Sequence, residues 1–69
     1  MTRKDYEAIA GILRSGRIDT RAMQGYGPGR LARTVLLATL ETRFADMLAS
    51  DNPNFNRDRF LAACQPEQE

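Results

Sequence analysis

From Arg30 to Ser50 the chain runs without a glycine or a proline, and apolar side chains recur along it at helical spacing. Leu37, Leu40, Phe44, Met47 and Leu48 fall on one face, and Leu31, Val35, Ala38, Ala45 and Ala49 on a second. A helix that is apolar around more than half its circumference has to be covered on two sides. The whole chain has only 69 residues, so little else is available to cover it. A first helix can take one side. The other falls to a third helix, the connecting loop or another subunit. This two-faced helix predicts a homodimer or a larger assembly, with Val35, Ala38 and Ala45 near the contact. Subunit burial would add stability that a core this small, worth about 3–5 kcal/mol, does not supply alone.

Two further helices are signalled at the ends. Thr2-Arg3-Lys4-Asp5 is a capping-box pattern, with Met1 and Tyr6 at the two staple positions. Tyr6, Ile9, Ala10 and Leu13 then recur at i, i+3, i+4 and i+7. Gly16 is placed to end this helix, with Arg14 and Arg17 complementing its negative end. Gly11, inside it, costs about 1 kcal/mol relative to Ala and is expected to serve close helix packing. Pro53 stops the long helix at Asp51-Asn52, and Asn56 caps the next one, with Phe55 and Phe60 as its staple. The expectation is an all-α fold, a small bundle of three helices at about 3–15, 30–50 and 57–64. A glycine-rich loop at 16–29 and a frayed polar tail at 65–69 complete it. Within the loop, Ile18, Ala22 and Met23 form at most one weak helical turn.

Composition removes most chemistries. No histidine and a single cysteine leave no ordinary zinc site, and no intramolecular disulfide can form. Cys64, on the apolar side of helix three, reads as a small core residue. Ser15 and Ser50 sit near helix ends, and Asp46, Asp51 and Asp58 read as surface charges. Three short helices hardly enclose a water-excluding pocket of about 300–1,000 Å³. No catalytic residue, metal or cofactor is therefore assigned, and the chain is expected not to be an enzyme. Val35 to Leu40 is the longest dense apolar run, far short of the roughly 20 residues a membrane span needs. The mixed start after Met1 reads as no secretory leader and the unpaired cysteine suits a reducing compartment, so the expected compartment is the cytoplasm of a bacterium, or of one that the protein's source infects.

The formal charge of +1 conceals an asymmetry. Residues 1–40 carry seven basic and three acidic side chains, net +4, and residues 41–69 carry three and six, net −3. Arg14, Arg17, Arg21, Arg30 and Arg33 gather around the loop, where Tyr26 could stack on a base. Gly25, Gly27 and Gly29 precede a helix start, as in an anion site, but no strand precedes them and no P-loop Lys-Ser/Thr follows. A flexible hinge explains them more simply. The one tight helix–helix junction, Asp51–Asn56, leads into a helix with Arg57 and Arg59 but also Asp58, a mixed surround for DNA recognition.

The two ends carry a resemblance. Met1-Thr2-Arg3-Lys4-Asp5-Tyr6, and later Asp51-Asn52-Pro53, Phe55-Asn56-Arg57, Arg59-Phe60-Leu61 and Ala63-Cys64, resemble a group of small bacteriophage and prophage proteins. Those proteins pair an "MTRKDY" start with a "DNPxFDRxRFLxAC" end; this chain has Asn56 where the pattern has Asp. The resemblance implies a phage origin and brings no catalytic or binding residue with it. The ends then read as scaffold and the middle as the partner-facing part. The expectation is a small phage-encoded protein-binding factor, an anti-CRISPR-like inhibitor of a host defence system. Its contacts with a host protein or complex are assigned to Arg17, Arg21, Tyr26, Arg30 and Arg33, since Arg and Tyr are favoured anchors. The alternative is a DNA- or RNA-binding regulator using the same residues. A membrane partner is not expected.

Overall fold

The structure, a computed structural model, describes residues 2–23 and 27–66. It is all-α: α1 spans Arg3–Ala22, α2 spans Pro28–Asp51 and α3 spans Arg57–Ala63, each packed against the other two. The capping box forms as the sequence requires. The Thr2 hydroxyl accepts from the Asp5 amide, and the Thr2 amide donates to Asp5 Oδ2 at 2.8 Å. That amide holds the Asp5 carboxyl below its ordinary pKa. Met1, the expected staple partner of Tyr6, lies outside the described residues.

At the junction of α2 and α3, Asn52 Oδ1 accepts from the Asn54 amide at 3.0 Å, and Asn52 Nδ2 donates to the Tyr6 hydroxyl at 3.2 Å. Asn56 caps α3 by accepting from the Arg59 amide at 2.9 Å. Phe55 stacks edge-on to Tyr6 with centroids 4.9 Å apart and meets Phe60 at 5.6 Å. The staple thus ties the start of α3 to the start of α1. Arg57 pairs with Asp46 and ties it to α2 as well.

The core consists of Ala10 and Leu13 from α1, Ala45 and Leu48 from α2, Phe60 from α3, and Cys64 at the α3 C-cap. Ala45 is fully buried in this core, so it is not available to the dimer contact expected of it. The small side chains of Ala10 and Ala45 leave room for the other helices.

Several boundaries differ from the sequence expectation, the smallest being the end of α2 at Asp51 and of α3 at Ala63, one residue later and one earlier than expected. The first helix does not end at Gly16; it continues to Ala22, so residues 16–22 of the expected loop are helical. Gly16 costs helix propensity, but its bare face lies beneath Leu37: a Cβ there would stand 2.9 Å from Leu37 Cδ2. One residue on, Arg17 gains a carboxylate partner on α2, and the Thr20 hydroxyl donates to the Gly16 carbonyl at 2.8 Å. These interactions carry the helix past its glycine. A Cβ on Gly11, by contrast, would meet nothing within 4 Å, so close packing is the role of Gly16 and not of Gly11. The second helix starts two residues earlier than expected, at Pro28, where a missing N–H is harmless and φ is already helical. Finally, Gln65 is no frayed residue, since it donates to a buried carboxylate. Residues 67–69 of the expected tail lie outside the described ones.

Helix lengths then dictate the shape. At 1.5 Å per residue α2 is about 36 Å long and α3 only about 10 Å. The third helix therefore covers only one end of α2. Along α2 from Leu31 to Leu40, every residue except the half-buried Leu37 is exposed. The molecule measures 40 × 22 × 15 Å, with three helices at one end and two at the other.

Candidate functional site

The two-helix end carries a cleft of about 330 Å³ between the last turns of α1 and the first turns of α2. Arg17 and Arg21 line it from α1, and Arg30 and Thr34 from α2. Gln65 and Pro66, just beyond α3, close one side. Arg17 and Arg21 are one helical turn apart and share a face for that reason.

Beneath the cleft lies Glu41, only 3% exposed. Arg17 grips its carboxylate with two hydrogen bonds, Nε to Oε2 at 2.5 Å and Nη2 to Oε1 at 2.8 Å. Gln65 Nε2 adds a third donor to Oε1 at 3.3 Å. A buried carboxylate persists as an ion only with such partners, and the fork geometry of Arg matches it. Hydrogen bonding by Glu41 raises the Arg17 pKa further. Below this group sits the Cys64 thiol, whose pKa burial pushes up to about 11, assisted by the negative charge of Glu41. The thiol is thus a protonated core group rather than a nucleophile at neutral pH.

The residues assigned from sequence separate here. Arg17, Arg21 and Arg30 come together in one cleft; Arg33 lies on the exposed surface of α2 outside its lining. Tyr26 lies outside the described residues. Arg17 has a different primary role from the one expected, because two of its donors are spent inside the molecule on Glu41. In the described part of the glycine motif Pro28 has no amide, and the Arg30 and Leu31 amides donate to the Gly27 carbonyl.

Sequence reasoning missed Glu41. It sits in register with the core positions Ala45 and Leu48 on α2, and a lone acidic residue in an apolar stripe was the available signal. Beside the cleft, α2 exposes Leu31 (65%), Val35 (58%) and Leu36 (57%), and α1 exposes Ile18. Leu31, Val35 and Ala38 follow one another at i, i+4 and i+7 and form one strip. Guanidinium groups next to exposed aliphatic side chains are a composition typical of contact surfaces.

Among the described residues no three His, Cys, Asp or Glu side chains gather where they could hold a metal ion, and no helix is long and apolar enough to cross a membrane. No family model, curated protein or solved structure matches the chain.

Proposed function

We propose that the protein is a small, phage-encoded protein-binding factor that engages a host protein or complex through its two-helix end, in the manner of an anti-CRISPR-like inhibitor of a host defence system. The observation that carries this reading is the exposure of Leu31, Val35 and Leu36 beside Arg21 and Arg30. Burying a Leu or Val side chain stabilises by roughly 1.5–3 kcal/mol, and this chain leaves three such residues in water on one half-helix. The phage origin and host setting rest on the resemblance of the two chain ends.

Capture from bacterial cells tests the reading. A tagged wild-type chain should retain host proteins that a Leu31→Asp, Val35→Asp variant loses. An Arg59→Ala variant, altered at the three-helix end, should keep them. Identical retention by all three chains would overturn it.

The clustering of Arg17, Arg21 and Arg30 in one cleft favours a second reading, a DNA- or RNA-binding regulator. A gel shift at two salt concentrations separates the two, because nucleic-acid affinity falls steeply with salt. A third use of the surface is self-association through Leu31, Val35 and Ala38, without Ala45. Light scattering at high micromolar concentration reads it directly.

A further inference from the structure

We infer that the outer side of α1 and α2, turned away from α3, docks a second copy of this chain, with α1 of each copy lying on α2 of the other about a two-fold axis. This contact lies apart from Leu31 and Val35 and does not depend on the reading of the two-helix end.

Exposed apolar residues gather on that side. Leu37 stands over Gly16 and marks the side of α2 that faces α1, whereas Glu41 and Asp46, met by Gln65 and Arg57, turn toward α3. At about 100° per residue, Leu40, Met47 and Leu36 lie about 60–100° past Leu37, on the side away from α3. They are 36%, 50% and 57% exposed. On α1, Ile12 lies one turn before Gly16, rotated away from the buried Leu13, and is 72% exposed. Four of the seven large apolar residues exposed in the described chain thus share one face.

Their spacing is that of helices packed along their length. Asp5, Ile12 and Asp19 recur every seven residues on α1, and Arg33, Leu40 and Met47 do the same on α2. Between the α1 positions stand the small, exposed Ala8 and Ser15, and between those of α2 the larger Leu36 and Arg43. Large side chains of α2 therefore find small ones on α1 to pack among, while α2 laid on α2 would crowd.

Charge selects a second copy and fixes its orientation. The face has an acidic edge on α1, Asp5 and Asp19, and a basic one on α2, Arg33 and Arg43, all four exposed. The antiparallel pairing of Gly16 with Leu37 puts Asp19 level with Arg33, Ile12 with Leu40 and Asp5 with Met47, each to within about a turn. A two-fold axis parallel to the helices keeps these heights. It sets Asp19 of each copy on Arg33 of the other, on either side of Ile12 and Leu40, with Arg43 about one turn from Asp5. Asp51 then comes level with the first turn of α1, which carries Lys4. An axis across the helices, centred on Ile12, would instead set Asp5 against Asp19 twice, and like charges so placed oppose association. The face is self-complementary in one orientation, as an isologous dimer requires. Two helices about 10 Å wide, in contact over the roughly 30 Å of α1, offer about 600 Å² on each chain. That is the lower edge of a specific interface, so the chains separate at low micromolar concentration.

Sedimentation equilibrium from low to high micromolar concentration tests this. The wild type should pass from one chain to two. Ile12→Glu, at an exposed position whose folding circular dichroism verifies, should stay a single chain, while Leu31→Asp should dimerise like the wild type. Asp19→Arg and Arg33→Asp should each raise the dissociation constant about tenfold, because each sets like charges together twice. An equimolar mixture of these two chains should recover wild-type association, since every pair in the mixed dimer is again of opposite sign. A wild type that stays single at high micromolar concentration, or a mixture that associates no better than either chain alone, would overturn the inference. So would loss of the dimer on Leu31→Asp but not on Ile12→Glu, which would place the contact on the other strip of α2.

Discussion

The two ends of α2 are built from the same kinds of residue and end in opposite states. Toward its C-terminus, Ala45 and Leu48 are sealed between α1 and α3; toward its N-terminus, Leu31, Val35 and Leu36 face water. For Leu31 and Val35 the cause is the length of α3; Leu36 lies on the helix face of Met47, which is exposed at the other end too. The seven-residue α3 starts beside Asp46, which its Arg57 grips, and ends short of Glu41, which Gln65 meets two residues past the helix. An apolar stripe therefore has two meanings along one helix. Where a third helix exists it is core, and where none exists it is left exposed. The ion pair between Arg17 and Glu41 stands where the closed end gives way to the open one.

Severing that pair should have the largest effect. Arg17→Ala removes two of the three hydrogen bonds to the buried Glu41 side chain and leaves Gln65 as the remaining donor, which costs about 3–5 kcal/mol, the whole stability expected of a core this size. Urea unfolding should show little or no folded baseline. Replacing both partners by apolar residues, Arg17→Met with Glu41→Leu, should recover most of the loss. A fully stable Arg17→Ala chain would remove the pair from its place between the two ends.

Leucine truncation at each end compares them directly. Leu48→Ala should cost about 2–5 kcal/mol, because it empties a fully buried site. Leu36→Ala should stay within about 0.5 kcal/mol and should weaken partner capture instead. Equal costs would mean that the open end is covered in solution.

The closed end also predicts an alkaline response. The folded Cys64 thiol keeps its proton to about pH 11, against an ordinary value of 9.0. Between these values the unfolded chain ionises and the folded chain does not, so stability falls as pH rises through that window. Below pH 9 the thiol contributes no slope. Chemical denaturation at pH 8 and pH 10.5 should show the loss, and alkylation of Cys64 at pH 8 should be slow unless the protein is unfolded. Prompt labelling of the native protein would contradict its burial.

The smallest expected change is a gain. Gly11→Ala should raise stability by about 0.5–1 kcal/mol, since the added methyl meets open space and α1 loses a flexible residue. Gly16→Ala should gain less, because the new methyl presses on Leu37. A larger gain at Gly16 than at Gly11 would mean that the two helices are not in close contact at the cleft.

Most of the closed end was legible in the sequence. Thr2 and Asp5, Asn52 and Pro53, and Asn56 with Phe55 and Phe60 are local signals whose meaning is settled within four or five residues, and each acts as its local pattern requires. The second half of α1 was not legible, because Gly16 reads locally as a helix end. What overrides it is tertiary: Leu37 above the glycine, and Glu41 held by Arg17, 24 residues apart in sequence. The candidate site was legible as a cluster of arginines but not as a cleft. Arg17 and Arg21 face Arg30 only because α1 runs on to Ala22.

Native-state hydrogen exchange along α2 in the free protein tests the contrast between the two ends most directly. Amides from Glu41 to Leu48 should exchange only by global unfolding, while those from Thr34 to Leu40 should exchange at least tenfold faster through local opening, and slow when a partner binds. Uniform protection from Thr34 to Leu48 in the free protein would contradict the account, because it would show that the open end is already closed.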